Sequence, residues 1–212
     1  MFITFEGLDF CGKSTQVVLL VKYLEERNKT VKVIREPGGT LISEQVRKIL
    51  LEKKNSEMFD ETELLLFSSS RAQLVREVII PDLKKGIFLI SDRFHDSTTA
   101  YQAFGRGLNQ NFIKSLNKFV IENALPDITF FIDIPLDEIE KRKAKVKKNK
   151  LDRIEISERK FYENVRDGYL KLADEEKRFK VINGSKSIEE IHQDILREIF
   201  AFEERSTKYV EK

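Results

Sequence analysis

Cysteine occurs once in the 212 residues, at Cys11, and histidine only twice, at His95 and His192. One thiol excludes an internal disulfide and a cysteine-rich metal site, and so few imidazoles point to chemistry that avoids them. Neither sign of charge prevails: 38 Lys and Arg stand against 36 Asp and Glu, a formal net charge of +2. That surplus gives no basic face of the kind that duplex DNA or an anionic membrane requires, so no nucleic-acid partner is expected. Runs of about 18 apolar residues, the length needed to span a bilayer, are missing. The opening MFITFEGLDF carries neither a basic segment nor a long apolar stretch. No membrane contact and a cytoplasmic protein are the expectation. Internal repeats and low-complexity linkers are also lacking.

What is present reads as one ordinary globular domain, with 41% hydrophobic residues and enough chain to bury a core. Short apolar runs rich in β-branched and aromatic residues occur at Phe2–Phe5, Val31–Ile34, Ile87–Ile90, Ile128–Ile132 and Phe179–Ile182. They predict five buried strands. Helical spacing separates them, as in Val17, Leu20, Val21 and Leu24, and again in Leu64, Leu74, Val78 and Ile79. Asp60 with Glu63, and Ser187 with Glu190, have capping-box spacing, and Pro135 suits a first helical turn. Strand and helix alternate, so the fold class is α/β, a parallel sheet flanked by helices. A single domain is expected over 1–202, with a polar tail from 203 to 212.

Gly7-Leu8-Asp9-Phe10-Cys11-Gly12-Lys13-Ser14 satisfies G-x-x-x-x-G-K-S/T between a strand and a helix, the context that makes this P-loop pattern credible. Glycines permit the turn, backbone N–H groups and the helix N-terminus surround a phosphate, Lys13 adds a point charge and Ser14 offers a hydroxyl to Mg²⁺. Thr15 supports the turn. Bound ATP or GTP follows. Cys11 reads as a small filler, the alternative being a thiol activated at the helix N-terminus. Asp92 ends the third strand, where P-loop proteins place a carboxylate for Mg²⁺, and Arg93 follows. A GTPase would carry D-x-x-G there. Asn149-Lys150-Leu151-Asp152 mimics the guanine motif N-K-x-D, but follows a lysine-rich stretch rather than an apolar strand. A small kinase remains, with a nucleotide-switched binding protein as the rival from another class.

Four motifs together resemble the bacterial thymidylate kinase family from Phe2 to about Ile199: the P-loop with Asp9; Arg35-Glu36-Pro37-Gly38-Gly39-Thr40; Asp92-Arg93-Phe94 followed by Ser97 to Gly107; and Leu151-Asp152-Arg153-Ile154-Glu155. The resemblance implies a P-loop nucleotide kinase fold with a five-stranded parallel sheet, a homodimer, and ATP-dependent phosphorylation of dTMP to dTDP with Mg²⁺. Other nucleoside monophosphates such as dUMP or UMP are the alternative acceptors. It further implies that Arg93 grips the dTMP phosphate, that Arg35 and Glu36 shape the acceptor site, and that Phe67 packs on thymine while Arg71 donates to its O4. Tyr101 is implied to crowd the sugar 2′ position and Asp9 to meet the 3′-hydroxyl, with Ser97 and Gln102 near the base. Residues alone leave open a core Phe67 with a snorkelling Arg71.

Lys141, Arg142, Lys143, Lys145, Lys147, Lys148, Lys150 and Arg153 crowd one segment. By position it matches the family's lid, about 141–155. Some members carry an arginine within the P-loop, where this chain has Phe10. The chain therefore resembles the lid-arginine type, with Arg153 expected at the γ-phosphoryl group and Arg142 against adenine. Asn183-Gly184-Ser185 is expected to shape the adenine pocket.

Overall fold

The computed structural model describes residues 1–146 and 151–210, with side chains as far as Arg205. Lys147, Lys148, Asn149 and Lys150, part of the basic segment, lie outside the described residues. The strands are β1 (Phe2–Glu6), β2 (Val31–Arg35), β3 (Phe88–Asp92), β4 (Ile128–Asp133) and β5 (Phe179–Asn183), all parallel in the order β2-β3-β1-β4-β5. β1 is central: Ile3 pairs with Ile90 on one side and Ile128 on the other. Such a sheet is buried on both faces, which is why its strands read as continuous apolar runs. The predicted α/β class and five-stranded parallel sheet are borne out.

Each strand runs past its predicted apolar end. The ladder continues through Arg35 opposite Asp92 and through Asp133 opposite Asn183, because backbone pairing does not require an apolar side chain. These polar termini, with Glu6, form the carboxyl edge of the sheet, where ligands bind in open α/β folds.

The connections are α1 (Lys13–Glu25), α2 (Leu41–Leu51), α3 (Asp60–Leu74), α4 (Ile80–Lys84), α5 (His95–Thr98), α6 (Gln110–Ile121), α7 (Leu136–Lys143), α8 (Arg159–Glu175) and α9 (Ile188–Val210). α9 thus continues through the stretch from Glu203 that composition sets apart as a tail. A π-helical turn at Val75–Ile79 precedes Pro81, which has no N–H to give to the turn before it. One core cluster gathers Ile3, Phe5, Leu20, Phe130, Tyr169 and Ile195; another gathers Phe2, Ile34, Leu74, Phe94 and Val120.

Of the two capping boxes, one forms. Ser187 N–H donates to Glu190 at 2.9 Å and Glu190 N–H to Ser187 Oγ at 3.2 Å. Asp60 instead opens the helix behind Phe59, which makes no side-chain cap. Glu63 turns inward, since two guanidiniums there bind a carboxylate more strongly than one N–H can. Pro135 is the residue before α7 rather than its first.

Candidate active site

The P-loop turns sharply between β1 and α1. Gly7 has φ 137° and its missing Cβ would sit 2.7 Å from Ile132 O, so only glycine fits this approach. Gly12, at φ 106°, leads into α1. Phe10 adopts φ 66° without being glycine, a local strain of about 1–2 kcal/mol. Lys13 is buried, its ammonium donating to Gly7 O at 3.1 Å and Leu8 O at 2.9 Å. Ser14 Oγ donates to Asp92 Oδ2 at 3.0 Å, joining α1 to the end of β3. Gly7, Leu8 and Cys11 build the loop from behind; Cys11 is buried beside Lys13.

Arg93 follows β3 at φ 70° and reaches back under the loop. Its Nη1 donates to Gly7 O at 2.8 Å and its Nη2 to Asp9 Oδ1 at 2.5 Å and Tyr101 OH at 3.1 Å. Burial opposes charge on Asp9, yet Arg93 and Lys13 hold its carboxyl below the usual range. Behind Arg93 lies Glu6, fully enclosed, which accepts from Phe94 N–H (2.7 Å), Ser97 Oγ (2.6 Å) and Tyr169 OH (2.7 Å). Burial, assisted by Asp96, raises its carboxyl above the usual value. Arg93 also donates to Ser97 and Tyr169, so Glu6 positions the guanidinium through two hydroxyls. Glu6 was not singled out from the sequence; an acid closing an otherwise apolar strand was the available signal.

On α3, Phe67 and Arg71 lie one turn apart and both line the cavity. Arg71 is 1% exposed and donates from Nε to Glu36 Oε2 (2.6 Å), from Nη1 to Thr98 Oγ1 (2.9 Å) and from Nη2 to Phe94 O (3.3 Å). Glu36 Oε1, in contrast, is buried with no partner among the described residues, an unsatisfied acceptor at the cavity wall. Burial lifts the Glu36 carboxyl to about 7 despite Arg71. Arg35 is half exposed and pairs with Glu44 at 3.2 Å. Arg47, unremarked in the sequence, donates to Pro37 O at 2.7 Å and faces the same cavity. Tyr101 and Gln102 sit in a π-helical segment, Thr99–Gly105, that turns both inward.

These groups surround one cavity of about 520 Å³. Its lining takes in Asp9, Phe10, Gly12, Lys13, Ser14 and Thr15 from the loop, and Arg35, Glu36, Phe67, Arg71, Asp92, Arg93, Ser97, Tyr101 and Gln102 beyond it. Arg142 closes the loop side, donating to Phe10 O at 3.1 Å and Gly184 O at 3.4 Å and pairing with Glu138. Asp152, Ile154 and Glu155 also line the cavity. Arg153, expected at the γ-phosphate, is not among the lining residues: its side chain is drawn away to Glu63 and Leu50 O. His95 lies elsewhere, buried and held neutral, its imidazole pushed down to about 4 by burial.

The metal expectation rests on Ser14 and Asp92. A hydroxyl and a carboxylate 3.0 Å apart at the cavity floor are hard oxygen donors, few enough to leave Mg²⁺ its waters and phosphate oxygens. No cluster of three or more His, Cys, Asp or Glu side chains suited to a metal occurs among the described residues.

The sequence profile of the family described as thymidylate kinase matches residues 5–195. A thymidylate kinase of Kosmotoga olearia is 49% identical over 199 residues, covering 93% of this chain and 94% of the relative. One of Fervidobacterium nodosum is 46% identical over 202 residues, covering 95% and 100%. The crystal structure of the Ehrlichia chaffeensis thymidylate kinase superposes with a TM-score of 0.76 at 37% identity, covering 94% of this chain and 97% of that one. A P-loop under Arg142, an Asp-Arg pair at the end of β3 and a Phe67–Arg71 wall thus stand on a fold shared across nearly its whole length with these proteins, and the chain belongs to the thymidylate kinase family.

Proposed function

We propose that the protein transfers the γ-phosphoryl group of ATP to the 5′-phosphate of dTMP, giving dTDP for dTTP synthesis. One observation carries this reading: the P-loop and the Phe67–Arg71 wall open into a single cavity that also receives the guanidiniums of Arg35, Arg47 and Arg93. Among the described residues no histidine lines it. An acceptor that is itself a phosphate, with a second pKa of about 6, needs no base to deprotonate it. The task is to hold two polyanions in line and offset their repulsion.

Lys13 exchanges its loop carbonyls for donor phosphate oxygens, and Arg142 caps the loop from the other side. Ser14 and Asp92 would hold Mg²⁺, which when bound neutralises and orients the phosphate oxygens. Arg93 takes the acceptor phosphate, its place fixed by Asp9 and Glu6. Phe67 stacks on the base and Arg71, four of whose five N–H groups are already engaged among the described residues, supports O4 recognition. The ring of Tyr101, held by Arg93, crowds the 2′ position and selects deoxyribose.

The protein acts as a homodimer in the cytoplasm, where ATP is available. Leu65 on α3 and Phe112 and Phe119 on the adjoining α6 are 52–73% exposed, and Phe59, 78% exposed, immediately precedes α3; these are apolar side chains suited to a second copy. No helix among the described residues is long and apolar enough to cross a membrane. ADP formation measured with dTMP, dUMP, UMP and dCMP in turn tests the substrate: dTMP should give the highest kcat/KM, and a preference for UMP would contradict the acceptor assignment.

A further inference from the structure

Glu63 is 1% exposed, in the first turn of α3, and carries no cap. It stands at the head of a stripe, Glu63, Phe67 and Arg71, spaced four residues apart on one helix face. Three side chains converge on it. Gln102 Nε2 donates to Oε1 at 2.9 Å, Arg106 bridges both oxygens at 3.2 Å each, and Arg153 Nη2 reaches Oε2 at 2.5 Å. Burial works against its charge, yet Arg106, Gln102 and Arg153 together keep the carboxyl below its usual value.

The turn that bears Arg153 is closed on itself. Asp152 Oδ1 accepts from the N–H groups of Ile154 and Glu155, and Glu155 Oε2 accepts from Asp152 N–H, all at 2.8 Å. Asp152, Ile154 and Glu155 face the cavity, whereas Arg153 points the other way. Its backbone N–H meets Leu51 O at 3.3 Å and its Nε meets Leu50 O at 2.9 Å, seating the turn on the end of α2. A closed turn with one outward peg moves as a unit with that peg.

We propose that Arg153 and Glu63 are positioning residues, peg and socket, that fix the Leu151–Glu155 wall against the acceptor wall of Phe67 and Gln102. Arg153 thus serves the reaction by holding the wall rather than by touching the transferring group. Loss of Arg153 frees the Leu151–Glu155 side of the acceptor pocket, and because Gln102 shares the carboxylate, loss of Glu63 loosens both sides. This rests on the kinase reading only for its kinetic arm.

The first experiment reads the structure without substrate: trypsin cleavage at the Arg153–Ile154 bond, followed by mass spectrometry. Cleavage should be at least about tenfold faster in Glu63→Gln than in the unmodified chain, since local opening governs the rate. Equal rates overturn the proposal. The second is steady-state kinetics of Glu63→Gln, Arg153→Met and the double variant. Each single change should raise KM for dTMP about tenfold with kcat within about threefold, and the double should match the larger single, because one contact is removed either way. Arg153→Lys should recover part of the loss by restoring one charged contact. A fall in kcat of about a hundredfold or more with KM unchanged in Arg153→Met, or multiplicative effects in the double variant, overturns it. Should Glu63→Gln misfold, Arg153→Met and Arg153→Lys still decide, since Glu63 keeps Arg106 and Gln102.

Discussion

Lys13 and Glu36 show how far single side chains carry the account. In Lys13→Ala two loop carbonyls lose a donor, a cost of about 1 kcal/mol, while β1 and α1 keep their packing. Turnover should therefore fall by about a hundredfold or more with a cooperative unfolding transition retained; normal turnover would sink the P-loop assignment. Glu36 predicts a pH effect. Its carboxyl is raised in the folded protein from 4.5 to about 7, so between those values the native state holds a proton that the unfolded chain has lost. Stability then falls as pH rises through that window and is lower by a constant amount above it. Denaturant unfolding at about pH 5 and about pH 7.5 should show this fall in the unmodified protein and much less of it in Glu36→Gln. Parallel behaviour would show that Glu36 does not titrate there. Neither the raised carboxyl nor the socket at Glu63 was legible in the sequence. A buried acid just after a strand or in a first helical turn looks like any surface acid until its partner, Arg71 for Glu36 or Arg106 for Glu63, arrives from further along the chain. Glu63 even imitated a cap.

Two glycines let α8 and the Thr99–Gly105 segment touch backbone to side chain. A Cβ on Gly168 would lie 2.8 Å from the Phe104 ring, and one on Gly105 would lie 2.6 Å from Phe161. The π-helical segment presents Tyr101 and Gln102 to the cavity, so this contact supports the wall proposed to hold the acceptor. Gly168→Ala should cost about 1–3 kcal/mol through overpacking and raise KM for dTMP more than KM for ATP; calorimetry and kinetics read the two effects, and equal shifts of both KM values would uncouple the contact from the site. At this scale the sequence was most informative. Alternating strands and helices were visible because buried parallel strands must be apolar, and the Ser187–Glu190 box because its bonds are local. Strand ends were missed because Glu6, Asp92 and Asp133 extend the ladder with charged rather than apolar side chains. The π-helical turns, set by tertiary packing, leave no periodicity to read.

For the molecule as a whole, the carboxyl edge of the sheet collects the groups proposed for the reaction, and α3 carries both the Phe67–Arg71 wall and the exposed Leu65. Phe119, 73% exposed on α6, is the natural probe of association: Phe119→Asp should sediment as a monomer where the unmodified chain sediments as a dimer, and unchanged sedimentation would move the interface elsewhere. Arginines arranged around one cavity, with Ser14 and Asp92 among its hard oxygen donors and no imidazole among its described lining residues, describe transfer between phosphates rather than hydrolysis or nucleotide-switched binding. Phosphorus NMR of the protein with ATP, Mg²⁺ and dTMP tests that claim most directly. The account predicts a growing β-phosphorus signal of dTDP in step with ADP, and inorganic phosphate accumulating without dTDP, or ATP left intact beside dTMP, would contradict it.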